Sequence, residues 1–315
     1  MKKNNIYVSG SIAYDSILSF EGIFSDHFLE GKKESINVSF LCQHMRKEYG
    51  GCAANIAYNL SQLNENCTLL GAIGRDGDEY YDRLKNLGID VSKVEKFDNL
   101  FTSQAFITTD SSGNQITSFH PGAMNNAGIS EFNPKTPSLG IVAPNSFNAM
   151  MKYSKKFNSL EIPFIFDPGQ ALPMFNKNDI LFLIEIASWI AVNEYEAQQL
   201  QSITGLSLKS IARLLRSHKK GGVIETLGSK GTKIYTNSDS YHIKSILPDN
   251  VVDPTGCGDA FRGGFLFAIN NNYSLVECIE FGNVVGGIKV ACAGAQNHTL
   301  DFDFIKNLIE VNYKK

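Results

Sequence analysis

The densest run of residues able to do chemistry is Asp253-Pro254-Thr255-Gly256-Cys257-Gly258-Asp259-Ala260-Phe261-Arg262-Gly263-Gly264. Phe261, Phe265 and Ala268 fall on one face, so a helix is expected to begin near Asp259. A glycine-rich turn ahead of such a helix points main-chain N–H groups outward at a helix N-terminus. That arrangement suits phosphate oxygens and the charge that develops during group transfer. Asp259 stands at the edge of the turn, placed to take a proton from an attacking hydroxyl, and an unperturbed carboxyl is ionised at neutral pH. Gly256, Cys257, Gly258 and Asp259 are therefore the catalytic candidates. Taken alone, the same string also reads as a helix cap whose glycines merely turn the chain.

A second constellation is Gly50-Gly51-Cys52-Ala53-Ala54-Asn55. Paired glycines allow close backbone approach, and an amide such as Asn55 both donates to and accepts from a diol. An ordinary helix N-terminus explains these residues as well. Asp15, after Gly10-Ser-Ile-Ala-Tyr, reads by itself as a turn residue. Asn193-Glu-Tyr-Glu196 reads by itself as a helix cap with acidic first-turn residues. Thr226-Leu-Gly228-Ser-Lys-Gly231 reads as a hairpin turn.

The elements that must position these groups alternate strand with helix, the pattern of a mostly parallel sheet covered on both faces. Ile6–Ser9, Cys67–Ile73, Ile141–Ala143, Phe164–Phe166, Trp189–Val192 and Val223–Thr226 are short apolar runs expected as buried strands. Each opens at its carboxyl end into a polar or Gly/Pro loop, the edge at which open α/β sheets bind ligands. Cys52–Leu63 and Asp78–Leu87 carry helical periodicity, and Ser274-Leu-Val-Glu277 is a capping box starting a long helix. Residues 12–46 and 100–120 break the rhythm with alternating positions: Ile36, Val38 and Phe40, then Phe101, Ala105 and Ile107. They predict an antiparallel lid beside the main sheet. The expected organisation is one domain over residues 1–315.

Composition narrows the class. The chain has 315 residues, 43% hydrophobic and 19% charged, values of a globular protein with a sizeable core. Net charge is −3 with no basic stripe, so no nucleic-acid partner is expected. No apolar run reaches the length of a membrane span, and no secretory leader opens the chain. Six scattered cysteines without a CxxC pair read as reduced thiols, which points to the cytoplasm. Cys42-Gln43-His44 is the sole close Cys/His pair and falls short of a zinc set. There is no P-loop, no H-R-D or D-F-G, and the best dinucleotide fingerprint has Phe261 where its third Gly belongs.

Taken together, the string 253–264 resembles the second signature of the ribokinase-like carbohydrate and nucleoside kinase family, and Gly50-Gly51…Asn55 resembles the first. The motifs around Asp15, Asn193–Glu196, Thr226–Gly231 and Gly294-Ala-Gln-Asn-His follow in the family's order, so the resemblance covers nearly the whole chain. Pro254 and Cys257 depart from the usual Thr and Ala, at positions that contribute mainly backbone.

The resemblance implies a ribokinase-like three-layer α/β/α core with a small β lid, and ATP-dependent transfer of a phosphoryl group to a substrate hydroxyl. It implies that Asp15, Gly50, Gly51 and Asn55 hold sugar hydroxyls, and that Thr226, Gly228 and Gly231 approach ATP together with Asn193 and Glu196. The last two would organise Mg²⁺ through water, and Asp253 and Thr255 would stand beside a K⁺ ion. Asn37-Val-Ser39-Phe40-Leu41, His120-Pro-Gly-Ala-Met124 and Asp167-Pro-Gly-Gln170 look like the bacterial adenosine and nucleoside kinase branch. In that branch Ser11 and Ser39 match polar substrate contacts, Gln170 lies in a loop reaching the base, and Phe106 is a stacking partner. Phe106 also reads as lid core. The implied acceptor is the 5′-hydroxyl of a purine nucleoside, adenosine first. A free-sugar kinase and a silent binding protein on the same scaffold are the other readings. In several relatives the lid pairs two protomers, so its exposed face is a candidate homodimer surface here.

Overall fold

A computed structural model describes residues 4–27, 38–134, 136, 138–216 and 221–314. In chain order the strands are β1 (Asn5–Ser9), β2 (Ala13–Ser19), β3 (His44–Gly50), β4 (Cys67–Leu70), β5 (Ala72–Gly74), β6 (Glu95–Phe97) and β7 (Ser103–Thr109). They continue as β8 (Gln115–His120), β9 (Ser138–Val142), β10 (Phe164–Phe166), β11 (Trp189–Asn193), β12 (Gly222–Thr226), β13 (Thr232–Tyr235) and β14 (Ser240–Ile243). The helices are α1 (Cys52–Gln62), α2 (Asp78–Asn86), α3 (Phe147–Ser159), α4 (Lys177–Ile186), α5 (Glu194–Thr204), α6 (Leu208–Leu214), α7 (Cys257–Asn270), α8 (Leu275–Val290) and α9 (Phe302–Tyr313).

The main sheet runs β14-β13-β12-β11-β10-β9-β1-β4, parallel from β12 to β4, with β13 and β14 added antiparallel. Alternation along its strands divides the core into two layers. Ile6, Val8, Ile141, Ile165, Ala191 and Ile224 pack among α1, α7, α8 and α9. Tyr7, Val142, Phe164, Phe166, Ile190 and Val192 face α3, α4, α5 and α6. Each large side chain buried this way contributes about 1.5–3 kcal/mol, which is why both faces are covered.

The expected capping box is present: Ser274 accepts from the Glu277 amide, and Glu277 accepts from the Ser274 amide at 2.9 Å. The single strand expected over Cys67–Ile73 is instead two. At Gly71, whose missing side chain leaves room for the Gly10 carbonyl, the chain turns out of the main sheet, and β5 pairs with β6.

The lid is a separate sheet of order β3-β2-β7-β8. Its outer pairs are antiparallel and its central pair, β2 with β7, is parallel. The alternation at Val38 and Phe40 does not form a lid strand; those residues are irregular, and the partner of β2 is β3, which begins at His44 and runs four residues past the expected boundary at 46. Ile36 and Asn37 lie outside the described residues.

Candidate active site

The carboxyl ends of β1, β9, β10, β11 and β12 open on one side of the sheet, where α7 begins. The turn before α7 works because Gly256 takes a left-handed conformation (φ 76°) while packed against Ala295, whose Cβ a side chain there would meet at 2.8 Å. A cleft of about 600 Å³ runs from this turn between α8 and the β12–β13 loop. Gly256, Cys257, Gly258 and Asp259 line one end of it. Asn193, Glu196, Thr226, Gly228 and Gly231 line the other, and Gln170 lies on its wall. Gly282, Gly286 and Gly287 of α8 also line it, and the first and last let Phe261 and the Ile246 carbonyl pack close, where a Cβ would meet them at 2.8 and 2.7 Å.

Asp259 is held rather than free. Its Oδ2 accepts from Asn55 Nδ2 at 2.9 Å, and Asn55 Oδ1 accepts from Gln296 Nε2 at 3.0 Å. Burial pushes the Asp259 carboxyl up to about 7, partly opposed by the Asn55 donor and the Arg262 guanidinium. A carboxyl poised there suits a general base at neutral pH. The Cys257 amide donates to the Pro254 carbonyl at 3.2 Å, closing the turn, and burial pushes its thiol up to about 11. Its side chain is therefore a neutral wall of the site.

Arg262 and Asp167 lie inside the motifs 253–264 and 167–170, yet nothing in those motifs alone marks them as partners. Arg262 Nε and Nη2 reach Asp167 Oδ2 and Oδ1 at 2.5 and 3.1 Å, and Nη1 donates to the Gly258 carbonyl at 3.2 Å. This buried fork ties the end of β10 to the glycine turn.

On the lid side, Asp15 projects from β2 against Gly50. Burial, with the Glu48 and Asp253 carboxylates nearby, pushes it up to about 6. Gly51 (φ 90°) approaches the backbone of Ser11 and Ala13 so closely that a Cβ would lie 2.6 Å from Ser11 O. Ser11 Oγ accepts from the Cys52 amide at 2.9 Å and so caps α1. Glu48 Oε2 accepts from Asn297 Nδ2 at 2.9 Å, joining the lid to the C-terminal loop. Gln296 and Asn297 belong to the motif Gly294-Ala-Gln-Asn-His, whose sequence alone gives neither a role.

Two expected substrate contacts are not brought to this cluster. Ser39 is exposed in an irregular segment. Phe106 pairs with Ser16 in the register that pairs Ala105 with Asp15, so it points to the opposite face of the lid from Asp15. The aromatic on the Asp15 face is Phe119, which pairs with Ala105.

Asn193 and Glu196 form a reciprocal capping box on α5: Glu196 Oε1 and Oε2 accept from Asn193 Nδ2 and N, both at 2.8 Å. Burial raises the Glu196 carboxyl. Among the described residues no cluster of three His, Cys, Asp or Glu could cage a metal. A carboxylate at the cleft wall fits Mg²⁺ held through its waters on a nucleotide, the usual mode for that ion. The Asp253 side chain is occupied by main-chain donors, Oδ1 by Thr255 N at 2.9 Å and Oδ2 by Gly294 N at 2.8 Å. Burial opposes ionisation, but these donors outweigh it and hold that carboxyl below its usual range.

Fold and cleft together place a glycine turn at a helix N-terminus beside the carboxyl ends of a mainly parallel sheet, the layout of a ribokinase-like α/β fold. The chain matches the model of the pfkB family carbohydrate kinases over residues 22–301 and belongs to that family. As a member it is an ATP-using phosphotransferase with an alcohol acceptor. The nucleoside kinase of Methanocaldococcus jannaschii is 33% identical over 278 residues, 87% of this chain and 89% of that protein. Among solved structures, the nucleoside kinase of Burkholderia thailandensis in complex with inosine has a TM-score of 0.87 at 37% identity, covering 99% of this chain and 98% of that one. The same protein in complex with ADP-inosine has a TM-score of 0.84 at 37% identity, covering 99% and 96%. Among the described residues no helix is long and apolar enough to cross a membrane.

Proposed function

We propose that the protein is a nucleoside kinase that transfers the γ-phosphoryl group of ATP to the 5′-hydroxyl of a purine nucleoside. The observation that carries this reading is the Asn55–Asp259 contact of 2.9 Å, which sets an amide able to bind sugar hydroxyls beside a carboxylate at the mouth of the glycine turn. The likeness to a nucleoside kinase in complex with inosine supports a purine acceptor, and adenosine and inosine are the first substrates to test. The whole chain acts as one catalytic unit with its lid.

In this reading Asp15 and Asn55 orient the ribose, and Gly50 and Gly51 let it approach the backbone. Asp259 takes the 5′-hydroxyl proton as that oxygen forms its bond to the γ-phosphorus. The bond from γ-phosphorus to the β–γ bridging oxygen breaks, and ADP leaves. The Gly256 and Gly258 amides and the α7 N-terminus stabilise the transferring oxygens; the Cys257 amide, turned onto Pro254, contributes less. Glu196 and Asn193 would hold Mg²⁺ on the nucleotide through water, and the ion would supply charge neutralisation at the phosphates. Thr226, Gly228 and Gly231 flank the nucleotide, and Gln170 reaches the base. Phe119 stacks on the base in place of Phe106, which is on the other lid face.

The decisive assay measures ADP formation with adenosine, inosine, guanosine, ribose and fructose. Turnover with purine nucleosides and little with sugars is expected. Turnover with ribose or fructose alone would reassign the acceptor, and none with any of them would favour a binding protein.

A further inference from the structure

The ammonium of Lys289 is among the most deeply buried charges described, fully excluded from solvent near the end of α8. Its Nζ donates to the Asp253 carbonyl at 2.7 Å and to the Cys292 carbonyl at 3.1 Å. Those two oxygens belong to the two backbone segments that build the anion-binding turn. Asp253 leads into Gly256–Asp259. Cys292 opens the loop whose Gly294 amide binds Asp253 Oδ2 at 2.8 Å and whose Ala295 packs on Gly256. A buried cation needs acceptors and a counter-charge. The carbonyls supply the first, and the Asp253 carboxylate, whose ionisation Lys289 favours, supplies the second.

A potassium ion placed beside Asp253 and Thr255 would draw on these same carbonyl oxygens, since such ions are held by main-chain oxygen at loops. The residues present do not fit it: the Asp253 carbonyl is taken by an ammonium, and both Asp253 carboxylate oxygens are taken by amides. We infer that Lys289 is a built-in monovalent cation, which holds the two loops in the geometry the turn needs and makes the protein independent of added potassium. Lys289 touches neither nucleotide nor acceptor in this account; it is a positioning residue for Gly256 and Gly258. The inference rests on the kinase reading, so its test includes a measurement that needs no substrate.

Two quantities are followed in potassium, ammonium or N-methylglucamine chloride at matched ionic strength: the midpoint of thermal unfolding, and kcat with ATP and a purine nucleoside. The wild-type protein is expected to give the same midpoint in all three salts and rates within about twofold. Lys289→Ala opens the carbonyl pair. It is expected to lose about tenfold or more in kcat in N-methylglucamine, and to regain both rate and midpoint with potassium or ammonium. Lys289→Met fills the space without charge and is expected to lose rate with no recovery.

A wild-type midpoint or rate that climbs with potassium would overturn the inference. So would a folded Lys289→Met protein with full activity in N-methylglucamine, or a folded Lys289→Ala protein impaired at every potassium level. If either variant fails to fold, the wild-type salt series decides alone. If no nucleoside is turned over, the thermal midpoints still judge the cation while the function reading falls separately.

Discussion

Asn55 Nδ2 lies 2.9 Å from Asp259 Oδ2, across 204 positions of sequence, and donates to the carboxylate with one of its two amide hydrogens. Because the donor favours the charged form and burial disfavours it, Asp259 titrates between two opposing influences, up to about 7. Catalysis and stability therefore depend on pH in opposite directions. The value of kcat/KM should fall as pH drops through about 7, as the base becomes protonated. Stability follows the reverse sign: a carboxyl raised in the folded state contributes stability below its unfolded pKa, and that contribution is lost as pH rises through the folded one. Asp259→Asn should accordingly gain thermal stability relative to wild type between pH 5 and 8, as read by unfolding midpoints at each pH. A gap between the two proteins that does not grow with pH would contradict the burial argument.

Removing the donor should move the base further. Asn55→Ala is expected to shift the acid limb of the pH–rate profile upward by about one unit, the scale of a lost charge-assisted hydrogen bond. It should also raise KM for the nucleoside while leaving KM for ATP near its normal value. An unchanged nucleoside KM would take Asn55 out of the sugar site.

The Arg262–Asp167 fork is buried on both sides. Breaking it one partner at a time leaves an uncompensated charge, so Asp167→Asn and Arg262→Met are each expected to cost about 3–5 kcal/mol in denaturant unfolding. The double variant should be less than additive. Additive losses would mean that the two side chains act independently.

The lid register separates two phenylalanines that differ little in exposure, Phe106 at 44% and Phe119 at 47%. Phe119→Ala should raise the nucleoside KM by about tenfold, the worth of a stacked aromatic, whereas Phe106→Ala should leave it within about twofold. Equal effects would indicate that both faces of the lid meet substrate.

Local order explains how far the sequence could be read. β10 appears at the residues its apolar run predicted, and the Ser274 cap starts α8 as expected, because both depend on neighbours in the chain. The glycine turn is likewise legible, since Gly256 must occupy a left-handed conformation there. The face on which Phe106 stands was not, because side chains alternate and a single position reverses the direction. Nor was the Arg262–Asp167 fork, whose partners are 95 positions apart. Lys289 gave still less warning. A lysine in the apolar run Val284–Val290 reads as a helix-end charge, and its carbonyl partners come into view only after two loops close around it.

In the proposed reaction everything turns on Asp259 removing the acceptor's proton at the turn before α7. Its most direct test is the single-turnover rate of Asp259→Asn with saturating Mg²⁺·ATP and a purine nucleoside that the wild-type protein phosphorylates. A rate lower by about 10²–10⁴-fold is expected, the usual weight of a positioned general base, with substrate affinities nearly unchanged. A rate close to that of the wild-type protein would contradict it.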